Sequence, residues 1–198
     1  MAKKEIYLVR HGRIKSDEEK RYIGQSDLEL TEEGILQAQK LYQTLKSNPL
    51  DQIYCSNLRR TQKTAEIIGA GRGLVPVVLP ELREINMGIW EGERFADIRA
   101  NYPDEFERRG QDPANFKPFG GECFKDLYDR VIPVFERIIN ETQKDILFVS
   151  HAGVNRVILA HALGLPLRNI FKLKQEYGCL NVISFDGKTL CVEKMNST

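Results

Sequence analysis

Two short apolar runs constrain this chain more than anything else in it. Ile6-Tyr7-Leu8-Val9 leads into Arg10-His11-Gly12, and Ile146-Leu147-Phe148-Val149 leads into Ser150-His151-Ala152-Gly153. An unbroken apolar run of this length, bounded by polar residues and glycine, reads as a strand buried on both faces, the parallel-sheet case. If the two strands lie side by side and parallel, His11 and His151 meet at one edge of the sheet. In open α/β sheets that edge is where ligands bind. Imidazole can attack an electrophile, and guanidinium can hold an oxyanion in a planar fork. A single Arg-His pair would read first as a satisfied surface pair at a strand end. The second run turns the reading toward a two-histidine anion pocket, with the N-terminal amides of the helix after His151 also favouring an anion.

Between these strands the patterning alternates. Thr31-Glu32-Glu33-Gly34 starts a helix, with Thr31 as N-cap and Ile35, Ala38, Leu41, Tyr42 and Leu45 on one face. Gln52 to Cys55 reads as a strand. Ser56-Asn57 caps a helix that carries Arg59 and Arg60 in its first turn and stops at Gly69. Gly69-Ala70-Gly71-Arg72-Gly73 follows a helix rather than linking a strand to one, so it reads as a stop and a turn, not a nucleotide loop. Val75 to Leu79 is an edge strand because of Pro76. Residues 89–120 hold Trp90, many charges and three prolines, the composition of short helices lying over something. A long helix runs from about Gly120 to Glu141, with a kink expected at Pro133. Another helix follows His151. Two strands flank Asp186-Gly187-Lys188 near the end. The expected fold class is α/β: a three-layer sandwich, mostly parallel central sheet with helices on both faces, forming one domain over 1–198 with a lid insertion at about 89–120.

Composition sets bounds on function. Lys+Arg 29 against Asp+Glu 28 leaves no surplus charge for a nucleic acid or a membrane surface, so any anion-binding power must be local. Cys55, Cys123, Cys179 and Cys191 form no CxxC pair and suit a reducing cytoplasm better than a disulfide framework. No signal peptide is expected, since Ala2-Lys3-Lys4 precedes only four apolar residues, and no run approaches the ~18 needed to span a membrane. His11, His151 and His161 show no zinc spacing, so no metal and no cofactor is expected. His161 reads as structural.

These motifs, in order, resemble the histidine phosphatase superfamily, which also contains the phosphoglycerate mutases. The blocks that carry the resemblance are Arg10-His11-Gly12; Gly24 to Gly34 with Gln37-Ala38; Ser56-Asn57-Leu58-Arg59-Arg60-Thr61 with Thr64-Ala65; Leu82 to Gly92; Gly120-Gly121-Glu122; and Ser150 to Val154. The resemblance implies a phosphoglycerate mutase-like fold. It also implies a catalytic set of His11 as the phosphorylated nucleophile, Glu84 as proton donor and base, and His151, with Arg10, Arg59, Gly24 and Asp17 binding substrate. Three positions depart from the family pattern. Arg13 stands where Glu or Gln is frequent, Asp17 where Asn is usual, and Cys123 where Ser is common. Asp17 is expected to face a substrate hydroxyl or turn away, with Arg13 offsetting it. Cys123 reads as a small helix residue rather than a reactive thiol.

The chemistry calls for the same residue types. A phosphomonoester carries close to two negative charges, which two arginines can hold while a neutral imidazole attacks and a carboxyl group protonates the leaving alkoxide. The expected activity is metal-independent hydrolysis of a small-molecule phosphate. Mutase-type transfer and an idle binding protein are the alternatives; the compact chain favours hydrolysis. Within the superfamily the length and the Gly120-Gly121-Glu122 block look most like enzymes acting on α-ribazole-5′-phosphate in cobalamin synthesis, with a broad-specificity sugar or nucleoside phosphatase as runner-up. Trp90, Phe95, Tyr102, Phe106, Phe116 and Phe119, in a net acidic 89–120 segment, point to a ring-bearing, largely uncharged leaving group rather than a second phosphate. A homodimer is left open.

Overall fold

A computed structural model describes residues 3–15 and 19–198. Six strands form one sheet: β1 (Lys4–Arg10), β2 (Gln52–Cys55), β3 (Val77–Val78), β4 (Ile146–Ser150), β5 (Leu180–Phe185) and β6 (Leu190–Ser197), in the order β3-β2-β4-β1-β5-β6. The first four are mutually parallel, and β5 and β6 complete one side antiparallel. β1 and β4 are neighbours in register, with Arg10 opposite Ser150. The two histidines therefore leave the sheet at the same level.

Alternate residues of the central strands feed two cores. Ile6, Leu8, Ile146 and Phe148 pack with α5 (Phe124–Glu141) and α6 (Ala152–Leu163). Tyr7, Val9, Leu147 and Val149 pack with α1 (Glu32–Leu45) and α2 (Arg59–Gly69). Both faces of β1 and β4 are thus covered, which is why their sequences show no polar alternation. This is the expected three-layer, mostly parallel arrangement. β3 lies at the edge, beyond Pro76.

Thr31 caps α1, its Oγ1 accepting from the Gly34 amide at 3.1 Å, and its own amide donates to the Arg13 carbonyl at 2.9 Å. The loop after His11 is thereby pressed onto the start of α1. A Cβ at Gly12 would overlap the Gly34 carbonyl, and one at Gly34 the Arg13 carbonyl, so the contact needs two glycines.

Within 89–120, α3 (Phe95–Asn101) and α4 (Pro103–Gln111) follow a short turn at Gly88–Trp90. Trp90 is fully buried and packs, with Ile98, Phe106 and Phe116, into the α5/α6 core. The segment is tied to residues 20–22 by Tyr22 N to Glu93 O, Gly92 N to Tyr22 O and Phe95 N to Lys20 O. Cys123 N-caps α5: the Asp126 carboxylate accepts from its amide at 2.9 Å and from its thiol at 3.1 Å. Burial raises that thiol's pKa, so it is not a reactive thiolate. His161 is also structural, bonded to Tyr128 Oη and paired with Glu136.

Candidate active site

His11 leaves β1 into a cavity of about 380 Å³ that is also lined by Arg10, Arg60, Glu84, Phe95 and Tyr177. Only 4% of it is exposed. Its Nδ1 lies 2.8 Å from the Gly12 carbonyl, which can only accept. Nδ1 therefore carries the proton and Nε2 keeps a free lone pair. Burial, and then the nearby Arg60 and Arg10 charges, hold the His11 pKa well below the usual histidine value, so the ring is neutral.

His151 leaves β4 beside it, with ring centroids 5.1 Å apart. Arg60 Nε, which can only donate, faces His151 Nδ1 at 3.3 Å, so the ring proton sits on Nε2 and goes to Ser56 Oγ at 2.8 Å. Ser56 Oγ is bonded in turn to Thr61 Oγ1 at 2.7 Å. Burial, then Arg60 and His11, keep His151 neutral as well. Both of its nitrogens are engaged within the protein, so it stands behind Arg60 and offers no free donor to a ligand.

The two arginines at the start of α2 part company. Arg60 is 1% exposed, and its terminal nitrogens donate to the Ser26 carbonyl at 2.5 Å and the Gly24 carbonyl at 2.6 Å. Arg59 is on the surface, paired with Asp27 at 3.4 Å and Glu29 at 3.6 Å. The structure therefore puts Arg60, not the expected Arg59, beside the histidines. The physical reason is helical phase: consecutive residues are turned by about 100° on a helix of 3.6 residues per turn, so only one of the two can face the site. Gly24 is not on the cavity wall; its carbonyl holds Arg60. Asp17 lies outside the described residues.

Arg10 stacks on Tyr177, its guanidinium carbon 3.7 Å from the ring centroid, and donates to the Gln175 carbonyl at 2.6 Å. Its buried Nε has no acceptor among the described residues. A buried network sits behind it. Ser150 Oγ donates to Asn155 Oδ1, Asn155 Nδ2 to Gln175 Oε1, and Gln175 Nε2 to Asn181 Oδ1. Sequence reasoning missed Gln175, Asn155 and Asn181. The signal was a lone Asn inside the apolar strand Leu180–Phe185, since a buried amide must find partners.

Glu84 is 8% exposed, and its carboxylate accepts from the Ile85 amide at 2.9 Å and the Gly153 amide at 3.1 Å. Gly153 is in the first turn of α6, so one amide of this helix end is taken by the Glu84 carboxylate. A Cβ at Gly153 would overlap Glu84 Oε1.

Of the six aromatics expected to form a lid surface, only Phe95 lines the cavity. Trp90, Phe106 and Phe116 fill the core beneath, and Tyr102 and Phe119 are exposed elsewhere. The outer wall carries Arg13, Lys20 and Arg21 against Glu19, so the acidic composition of 89–120 does not set the character of the mouth. Among the described residues no group of three or more His, Cys, Asp or Glu is placed to hold a metal ion, and no helix is long and apolar enough to cross a membrane.

Residues 6–198 match the family model of the histidine phosphatase superfamily (branch 1). A relative from Salmonella typhimurium named adenosylcobalamin/α-ribazole phosphatase is 31% identical over 197 residues, covering 97% of this chain and 96% of its own. The solved α-ribazole phosphatase from Shigella flexneri superposes with a TM-score of 0.88 at 30% identity, covering 98% and 96% of the two chains. A mycobacterial glucosyl-3-phosphoglycerate phosphatase superposes at 0.90 with 27% identity, covering 98% and 100%.

Proposed function

The chain belongs to the histidine phosphatase superfamily and is a phosphatase; from that premise we propose that it hydrolyses small-molecule phosphomonoesters through a phosphohistidine formed on His11. The observation that carries this reading is the His11 hydrogen bond to Gly12, which leaves Nε2 as the only free lone pair of a neutral imidazole in an arginine-lined cavity. In the first step Nε2 attacks phosphorus in line, the P–O ester bond breaks, and Glu84 gives its proton to the departing alkoxide. In the second, Glu84 takes a proton from water, the hydroxide attacks the phosphohistidine, the P–N bond breaks and inorganic phosphate leaves. One carboxyl group serves both directions. Arg10 and Arg60 hold the nonbridging oxygens and offset the charge of the transferring group. His151 holds Arg60. The unpartnered Arg10 Nε is supplied with an acceptor when a phosphate oxygen binds.

For substrate we propose α-ribazole-5′-phosphate, with the protein working in the cytoplasm as one domain whose residues 89–120 cover the site. Support comes from the relatives of that name, which match over nearly their whole length, and from Phe95 and Tyr177 on the cavity wall, which suit a ring-bearing leaving group.

Rapid quench during turnover of a radiolabelled monoester tests the mechanism. Acid-labile, base-stable label is expected on the wild type and absent from His11→Ala; label on His11→Ala at wild-type level overturns the assignment. A substrate panel tests the rest. α-Ribazole-5′-phosphate is expected to give the highest kcat/KM. A value no better than that of p-nitrophenyl phosphate removes it, and a phosphoglycerate that is isomerised rather than hydrolysed makes the protein a mutase.

A further inference from the structure

Glu91 lies outside the cavity and touches none of the groups that react, yet its carboxylate collects three consecutive backbone amides. Oε1 accepts from Gly24 N at 2.9 Å and Ser26 N at 3.1 Å; Oε2 accepts from Gly24 N and Gln25 N, each at 3.2 Å. With its amides aimed at Glu91, the loop offers the carbonyls of Gly24 and Ser26 to Arg60. Those two carbonyls hold Arg60 by its terminal nitrogens. The Gln25 side chain ties the same loop to the Glu84 carbonyl at 3.0 Å. Glu91 is itself fixed. It follows the buried Trp90, its amide donates to Gly88 O, and the amide of Gly92 donates to Tyr22 O. It makes no ion pair among the described residues, so its charge is met by the amides and by the field of Arg60, whose own pKa it helps to raise against burial.

The residue type matters here. Three N–H groups converge on one side chain, and only a carboxylate is all acceptor. Glutamine, of the same shape, would turn an NH₂ group against at least one of those amides.

We propose that Glu91 is a positioning residue for Arg60: it sets the 24–26 loop, and the loop aims the guanidinium at the transferring phosphoryl group. This rests on the reading that Arg60 holds phosphate, and the two are separated by a double-mutant cycle on Glu91→Gln and Arg60→Ala. The readouts are kcat/KM for p-nitrophenyl phosphate, the Kd of inorganic phosphate by calorimetry, and the melting temperature. Glu91→Gln is expected to lower kcat/KM by about 100-fold, the scale of a catalytic group displaced by an ångström, and to weaken phosphate binding. In the Arg60→Ala background the same substitution is expected to cost less than about threefold, since residues acting through one another are not additive. An equal loss in both backgrounds overturns the proposal, as does a fall in melting temperature with phosphate affinity unchanged. If Arg60→Ala alone leaves kcat/KM and phosphate affinity intact, it is the reading of Arg60 that fails. Should Glu91→Gln not fold, Glu91→Asp, which keeps the charge but falls a methylene short of the loop, goes through the same cycle with the same outcomes.

Discussion

Arg59 and Arg60, consecutive in the chain, leave the first turn of α2 in different directions: one is exposed against Asp27 and Glu29, the other is sealed against His151. Their substitutions should therefore diverge. Arg60→Ala is expected to lower kcat/KM by about 10²–10³-fold, the usual cost of one donor to a developing oxyanion. Arg59→Ala removes exposed ion pairs worth less than about 1 kcal/mol and is expected to leave kcat/KM within about twofold. Steady-state kinetics on both variants decide the matter; a larger loss in Arg59→Ala would return the phosphate contact to the surface residue.

Glu84 is expected to matter in proportion to the basicity of the leaving group. Glu84→Gln should slow alkyl phosphates by about 10²–10⁴-fold and p-nitrophenyl phosphate far less, because nitrophenolate leaves without a proton. Gly153→Ala should show the same selectivity in weaker form, as its methyl group pushes Glu84 Oε1 aside. An equal loss on both classes of substrate in either variant would make Glu84 a structural carboxylate.

The two buried histidines should make the protein sensitive to mild acid. Both have folded-state pKa values well below 6.5, so as pH falls through 6.5 the unfolded chain takes up protons that the folded chain refuses. Stability is therefore full above that pH and is lost below it, down to the folded pKa values. The slope is at most about 1.4 kcal/mol per pH unit for each histidine. Urea titrations between pH 7.5 and 5.5 should show it, with a shallower slope in His151→Asn; an unchanged slope in that variant would mean that His151 takes up its proton in the folded chain as readily as in the unfolded one.

Activity is expected to survive EDTA, and vanadate is expected to compete with substrate by taking the place of the transferring phosphoryl group. Loss of activity on chelation, restored by a divalent ion, would remove His11 as the nucleophile.

Strand ends were legible because β1 and β4 are buried on both faces, which leaves a plain apolar run, and because each run stops at a histidine. The Thr31 cap was legible for a similar reason: it is local. The choice between Arg59 and Arg60 was not, since it depends on where α2 begins to within one residue, and the helix starts at Arg59 after Leu58, with Ser56 turned inward to Thr61 and His151. The facing of the 89–120 aromatics was equally hidden. Composition states how many rings a segment holds, and only packing states which of them reach the cavity. Glu91 bonds a loop far away in sequence, and Asn155 reaches Gln175 on another element, so no spacing rule picks out either pair.

The register of Arg10 against Ser150 has a consequence for the chain's own synthesis. The ribosome makes β4, the strand that sets His151 beside His11, 140 residues after β1. Until β4 slides in between β1 and β2, Arg60 lacks the imidazole that holds it and Glu84 lacks the helix end that holds its carboxylate. A chain that stops short of β4 thus holds His11, Arg60 and Glu84 without the contacts that set them together, and the pocket is completed only with the closing of the sheet.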